Sequence, residues 1–141
     1  MSSLSRRLGP VLLVLLLAGP SWAEAACQQR DIRGSWDLYI AGGEVDGPWF
    51  GWSACNLSIN NTGAVRGSCI NDDGSNSIVD GQLDLRNNCR IRGEVVIDGD
   101  VEAPFSFTRA TLTESKDLIA GVGRTSFDAF LFSAIFQMVR R

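Results

Sequence analysis

The segment Cys89-Arg90-Ile91-Arg92-Gly93-Glu94-Val95-Val96-Ile97-Asp98 alternates along its length. Every second residue from Cys89 is apolar or small: Cys89, Ile91, Gly93, Val95 and Ile97. Between them stand Arg90, Arg92, Glu94 and Asp98. Successive side chains of an extended chain point to opposite faces, so this period of two describes a strand with one buried face and one wet face. At a helical period of 3.6 the same charges would be scattered over every face.

The same alternation extends in both directions. Short runs separated by Gly, Asn, Asp and Ser clusters recur from Gly34 onward: Ser35 to Ala41, Trp52 to Asn60, Ala64 to Asn71, Ser77 to Leu85, Cys89 to Asp98, Ala103 to Leu112, Asp117 to Arg124 and Phe127 to Val139. Eight runs at this spacing predict an all-β fold, a single antiparallel up-and-down barrel of about eight strands. Val65-Arg66-Gly67-Ser68-Cys69, Val79-Asp80-Gly81-Gln82-Leu83 and Ile91-Arg92-Gly93-Glu94-Val95 repeat one pattern, with Ile119-Ala120-Gly121 as a partial fourth copy. Each places a glycine on the inward face in mid-strand, a device that lets strands coil tightly enough to close a small barrel.

The last run is apolar on both faces. As a strand it puts Phe130, Phe132, Phe136 and Met138 on one side. As a helix capped by Ser126 it makes a stripe of Phe127, Phe130, Leu131, Ala134, Ile135 and Met138. Aromatic content and context favour the strand, and one face then needs a partner, which makes this strand a candidate route to an oligomer.

The N-terminus carries an address. Arg6 and Arg7 precede the apolar run Val11 to Ala18, followed by Gly19-Pro20 and the small-x-small site Ala23-Glu24-Ala25. That order is a secretory signal peptide over residues 1–25, cleaved on export to a periplasmic or extracellular location, with a domain over 26–141. The apolar run is far shorter than the roughly 20 residues of a membrane-spanning helix. Removing residues 1–25 takes away Arg6, Arg7 and Glu24 and leaves 116 residues with 11 basic and 15 acidic side chains. One core fits that length. The mild acidity offers no basic stripe for nucleic acid.

All four cysteines, Cys27, Cys55, Cys69 and Cys89, lie in the exported part, where an even number reads as disulfides rather than a metal site. Three connectivities are open. A three-residue loop at Asn61-Thr62-Gly63 pairs Asn60 with Ala64 and, further out, Cys55 with Cys69. That register favours Cys55–Cys69 and leaves Cys27–Cys89 to tether the N-terminal segment.

The sequence contains no histidine, which removes Ser-His-Asp and Cys-His nucleophiles and histidine metal sites. Asp72-Asp73 and Asp98-Gly99-Asp100-Glu102 are acidic, but Asp and Gly are ordinary turn residues. The stretch Asn71 to Asn76 does not fit the calcium-loop template. No catalytic residue, metal or cofactor is expected.

Gly34-Ser35-Trp36 at the start of the first strand, the Gly63-x-x-x-Gly67-Ser68 hairpin and the basic terminus Arg140-Arg141 resemble the calycin group: lipocalins, avidins and small bacterial metalloprotease inhibitors. The resemblance implies a barrel whose closed end is plugged by Trp36, with Arg140 or Arg141 stacked on it as a cation–π pair. In the inhibitors a free N-terminal segment enters the protease cleft. Here eight residues, 26–33, precede Gly34, and Cys27 is among them.

The remaining feature is Gly47-Pro48-Trp49-Phe50-Gly51-Trp52, three large aromatics leading into the second strand. Strand parity puts Phe50 and Trp52 outward, where exposed aromatics mark contact sites; the competing reading is that Trp49 and Trp52 cap the core. These residues predict a non-enzymatic binding module for a small apolar ligand or a protein partner. Two further readings are an inhibitor of a co-secreted protease and a structural subunit of a cell-surface assembly. A membrane barrel would be apolar outside, which the charged faces contradict.

Overall fold

The computed structural model describes residues 26–99, 102–127 and 130–141; the signal-peptide reading of residues 1–25 lies outside them. Eight strands follow a short 3-10 helix at Gln29–Ile32: β1 Gly34–Glu44, β2 Phe50–Ile59, β3 Ala64–Asn71, β4 Asn76–Leu85, β5 Arg90–Asp98, β6 Glu102–Leu112, β7 Leu118–Phe127 and β8 Phe130–Arg140. Each pairs antiparallel with the next, and β8 closes on β1, making an up-and-down barrel without edges.

The sequence reading of the strands holds, with shifted ends. The last run is a strand, its inward Phe136 and Met138 buried and its outward Ile135 exposed. β1 runs three residues beyond Ala41, through Gly42 and Gly43, because β2 and β8 pair with it on both sides and override the weak strand propensity of glycine. Cys89 falls outside β5, in the turn before it, at φ 62°.

The inward residues form one continuous core that includes Leu38, Leu57, Val79, Leu83, Val95, Phe107 and Ile119. Bulky residues alternate with glycines around the circumference. Phe107 stands opposite Gly93 on one neighbouring strand and Gly123 on the other. A Cβ on Gly93 would lie 2.1 Å from the carbonyl oxygen of Gln82, and one on Gly121 would lie 1.9 Å from that of Arg109. The inward glycines therefore let adjacent strands approach and leave room for the large rings.

Both disulfides form as expected, Cys55–Cys69 and Cys27–Cys89. Cys55 and Cys69 are direct cross-strand partners, in the register set by the Asn60 hairpin. There Asn60 Oδ1 accepts from the Thr62 and Ala64 backbone N–H groups at 2.9 and 3.0 Å, and Gly63 adopts φ 88°. The second disulfide holds the N-terminal segment against the β4–β5 turn, and Gln29 helps by bridging the Leu83 carbonyl and the Leu85 N–H at 2.8 and 2.7 Å. Disulfides of this kind persist in oxidising compartments.

One end of the barrel is sealed. Trp36 is fully buried and its Nε1–H donates to the Ile32 carbonyl of the 3-10 helix at 2.8 Å. Of the two terminal arginines, Arg140 stacks on it, Cζ 4.5 Å from the ring centroid. The same guanidinium donates to the carbonyls of Lys116 at 2.9 Å, Arg33 at 2.6 Å and Asp31. Arg141 instead pairs with Asp37 on the barrel exterior at 2.9 Å. The Asp31 carboxylate accepts from the Gln28 N–H at 2.8 Å and from Lys116 Nζ at 2.9 Å. Those two donors, the Gln28 N–H first, hold it below the usual aspartate range.

Candidate functional site at the barrel mouth

The hairpin connections alternate between the two ends, so the β1–β2, β3–β4, β5–β6 and β7–β8 connections all surround the end opposite Trp36. A cavity of about 570 Å³ opens there, within the roughly 300–1,000 Å³ span of small-molecule sites. Its floor is aromatic. Phe105, Phe107 and Phe136 meet edge to face with centroids 4.7–6.0 Å apart and fill the barrel's middle. Above Phe105 small residues, Gly42, Gly51 and Ala134, occupy inward positions at the rim and leave the lumen open.

The walls divide by chemistry. Ile40, Ile97, Ala134, Phe130 and Phe132 form the apolar side. Trp49 belongs to it, meeting the Phe132 ring edge-on at 5.3 Å. The polar side is built from β2, β3, the β3–β4 turn and the start of β4. Ser53 Oγ donates to Asn71 Oδ1 at 2.8 Å, and Asn71 Nδ2 donates to Ser75 Oγ at 3.0 Å and Ser77 Oγ at 2.8 Å. Ser77 is 4% exposed, the one buried polar residue of the described interior. Its hydroxyl accepts from Asn71, and among the described residues no group takes the proton it can donate. Thr125 also lines the cavity, and its Oγ1 is buried with no partner among the described residues. Unmet hydrogen-bonding capacity beside a cavity is the condition a bound polar group relieves.

The three aromatics singled out from the sequence separate. Trp49 is 57% exposed and turns toward the cavity, Phe50 is 66% exposed and does not line it, and Trp52, 48% exposed on the outward face of β2, also borders the cavity at its rim. Parity placed Phe50 and Trp52 outward, and outward they lie. Trp36, Arg140 and Arg141 are remote, at the closed end. Sequence reasoning missed Ser53, Asn71, Ser77, Thr125 and Phe132. The signal was present: Ser53, Asn71 and Ser77 keep the inward phase of Cys55, Cys69 and Val79, so each is a polar residue at an inward position near the mouth.

Charge is distributed along the barrel axis. Among the described residues, the mouth connections and the strand ends beside them carry Glu44 and Asp46, Asp72 and Asp73, and Asp98 and Glu102. These are six of the fifteen acidic residues of 26–141, and among the described residues no lysine or arginine stands in those connections. At the closed end the basic residues Arg30, Arg33, Arg86, Arg90, Lys116, Arg140 and Arg141 outnumber Asp31, Asp37, Asp84, Glu114 and Asp117 by two. Asp73 is held below the usual aspartate range by the Ser75 hydroxyl and by the Ser75 N–H, which donates to its Oδ1 at 2.8 Å.

The exterior is divided around the circumference. β3 to β6 turn charged residues outward, among them Arg66 and Asp80, which pair at 3.6 Å. β7, β8, β1 and β2 bring Val122, Ile135, Ala41 and Trp52 into one cross-strand row, and Ile135 is 67% exposed. Among the described residues, no helix is long and apolar enough to cross a membrane.

No protein-family model matches the chain, and no curated protein matches it.

Proposed function

We propose that this chain is an exported, non-enzymatic binding protein whose barrel mouth holds one small organic molecule with an apolar body and a polar end. The carrying observation is the cavity itself. It has an aromatic floor and apolar wall on one side and a hydrogen-bonded Ser53–Asn71–Ser77 wall on the other. Concave, largely apolar sites with a few placed polar groups are the form small-molecule sites take. The alternation of the calycin-like barrel, apolar within and charged over half its outside, supports a solvated molecule rather than a lipid-embedded one. Native mass spectrometry of protein purified from its own host tests the reading. An adduct of a few hundred daltons, lost on mutation of Trp49, is the expected outcome; bare protein that also fails to take up any apolar probe overturns it.

A second reading has its own support. The uncharged row from Val122 through Ile135 and Ala41 to Trp52 suits a partner surface or self-association, as in a surface assembly. Light scattering at high concentration, with Ile135→Glu as control, tests it; a monomer at all concentrations that also captures no partner counts against it. The inhibitor reading draws less support, since the N-terminal segment it would insert is bonded through Cys27 to Cys89.

A further inference from the structure

We infer that the mouth selects organic cations: its ligand is an amine or quaternary ammonium carried on an apolar or aromatic body, and carboxylate-headed molecules such as fatty acids are rejected. The inference rests on the small-molecule reading of the cavity and adds the charge of the ligand.

Three observations converge. The first is a wall built for a cation. The Trp49 ring edge and the Asp72 carboxylate both crowd the face of Gly51: a Cβ there would lie 2.7 Å from Trp49 Cη2 and 2.9 Å from Asp72 Oδ2. Gly51 leaves both groups room where they stand, so a carboxylate lies beside the aromatic lining of the cavity. An ammonium held between a carboxylate and ring faces gains from both the opposite charge and the ring quadrupole.

The second is the absence of a competing partner. Glu44, Asp72 and Asp73 line the cavity with no lysine or arginine among the described lining residues. No salt bridge among the described residues involves any of the three carboxylates. An anionic ligand would therefore meet three like charges and nothing to neutralise it. The six described acidic residues around the rim, against a closed end with a small positive excess, also produce a field that draws cations to the mouth.

The third is that the site has unmet hydrogen-bonding capacity deeper in. The Ser77 hydroxyl and the buried Thr125 Oγ1 are able to hold a hydroxyl, ether or carbonyl on the ligand body. A purely aliphatic ligand would leave both unsatisfied.

The test uses three probes with one body: 4-phenylbutyltrimethylammonium, 4-phenylbutanol and 4-phenylbutyrate. Each is titrated calorimetrically into the disulfide-bonded 26–141 protein. In parallel, the neutral dye N-phenyl-1-naphthylamine reports on the cavity. The cation is expected to bind at least about tenfold tighter than the alcohol, and the carboxylate weaker than both. Raising ionic strength from about 20 mM to about 500 mM narrows the cation's advantage, and Asp72→Asn lowers the cation-to-alcohol ratio, the alcohol reporting that the variant's pocket is intact. If the dye and alcohol bind but the cation does no better than the alcohol, the cation inference is overturned and the small-molecule reading stands. If neither the dye nor any of the three probes binds, both fall together.

Discussion

The guanidinium of Arg140 covers the indole of Trp36, joining the last residue of β8 to the first turn of β1 with Cζ 4.5 Å from the ring centroid. The contact also caps the 3-10 helix, since Arg140 donates to the carbonyls of Asp31 and Arg33 while Trp36 donates to that of Ile32. Arg140→Ala is expected to lower stability by about 2–4 kcal/mol, because three carbonyls lose a charged donor and a buried indole loses its cover. Arg140→Lys recovers less than half, as one ammonium cannot span the planar fan of acceptors. Urea unfolding of the two variants checks both figures; a Lys variant as stable as wild type would show that charge alone matters there.

Removing the disulfides one at a time separates their effects. Loop-closure entropy gives about 3 kcal/mol for Cys55–Cys69 and about 4 kcal/mol for Cys27–Cys89. Cys27→Ser with Cys89→Ser has a local effect besides, since it releases the segment that carries Ile32 and Asp31. Limited proteolysis is expected to cut residues 26–33 in that variant while the barrel survives.

The glycines fall into two classes that substitution distinguishes. Gly121→Ala drives a methyl against the Arg109 backbone carbonyl, a clash relieved only by parting β6 from β7, and is expected to cost at least about 2–3 kcal/mol. Gly74→Ala, at φ 82° in open space, strains only the turn and costs about 1 kcal/mol. Equal melting temperatures for the two variants would contradict the packing account.

Asp31 sets an acid sensitivity at the closed end. Its folded carboxyl titrates below the unfolded value through the Gln28 N–H and Lys116. The stability it contributes is therefore fully present above about pH 4 and is lost as pH falls through the folded value. Asp31→Asn is expected to narrow its gap from wild type as pH drops from about 5 to about 2.5. A constant gap across that window would place the role of Asp31 in shape rather than charge.

Trp49 and Phe105 both face the cavity but differ in what they support. Trp49→Ala is expected to weaken binding of N-phenyl-1-naphthylamine about tenfold or more and to change stability by less than about 1 kcal/mol, since the ring is half exposed. Phe105→Ala removes a buried ring from the floor and costs about 3–5 kcal/mol. Dye titration beside thermal melts reads both.

Much of this barrel is written in a period of two. The alternation from Cys55 to Ile97 places the core residues, and the Asn60 hairpin register is enough to pair Cys55 with Cys69. The sequence was weaker where neighbouring strands overrule local preference: Gly42-Gly43 reads as a break, yet both residues are paired on either side. The site was half legible. Trp49 stands out as an aromatic in a loop, whereas Ser53, Asn71 and Ser77 are common residues whose meaning depends on three strands meeting. Only the closed ring brings Thr125 and Phe132, which follow three or more strands later, to the same cavity.

The separation of acidic mouth from basic closed end gives the barrel an electric dipole along its axis. Beside an anionic layer, such as an acidic polysaccharide or lipid headgroups, the molecule is turned closed end first. Its opening then looks into solution, free to sample what diffuses past.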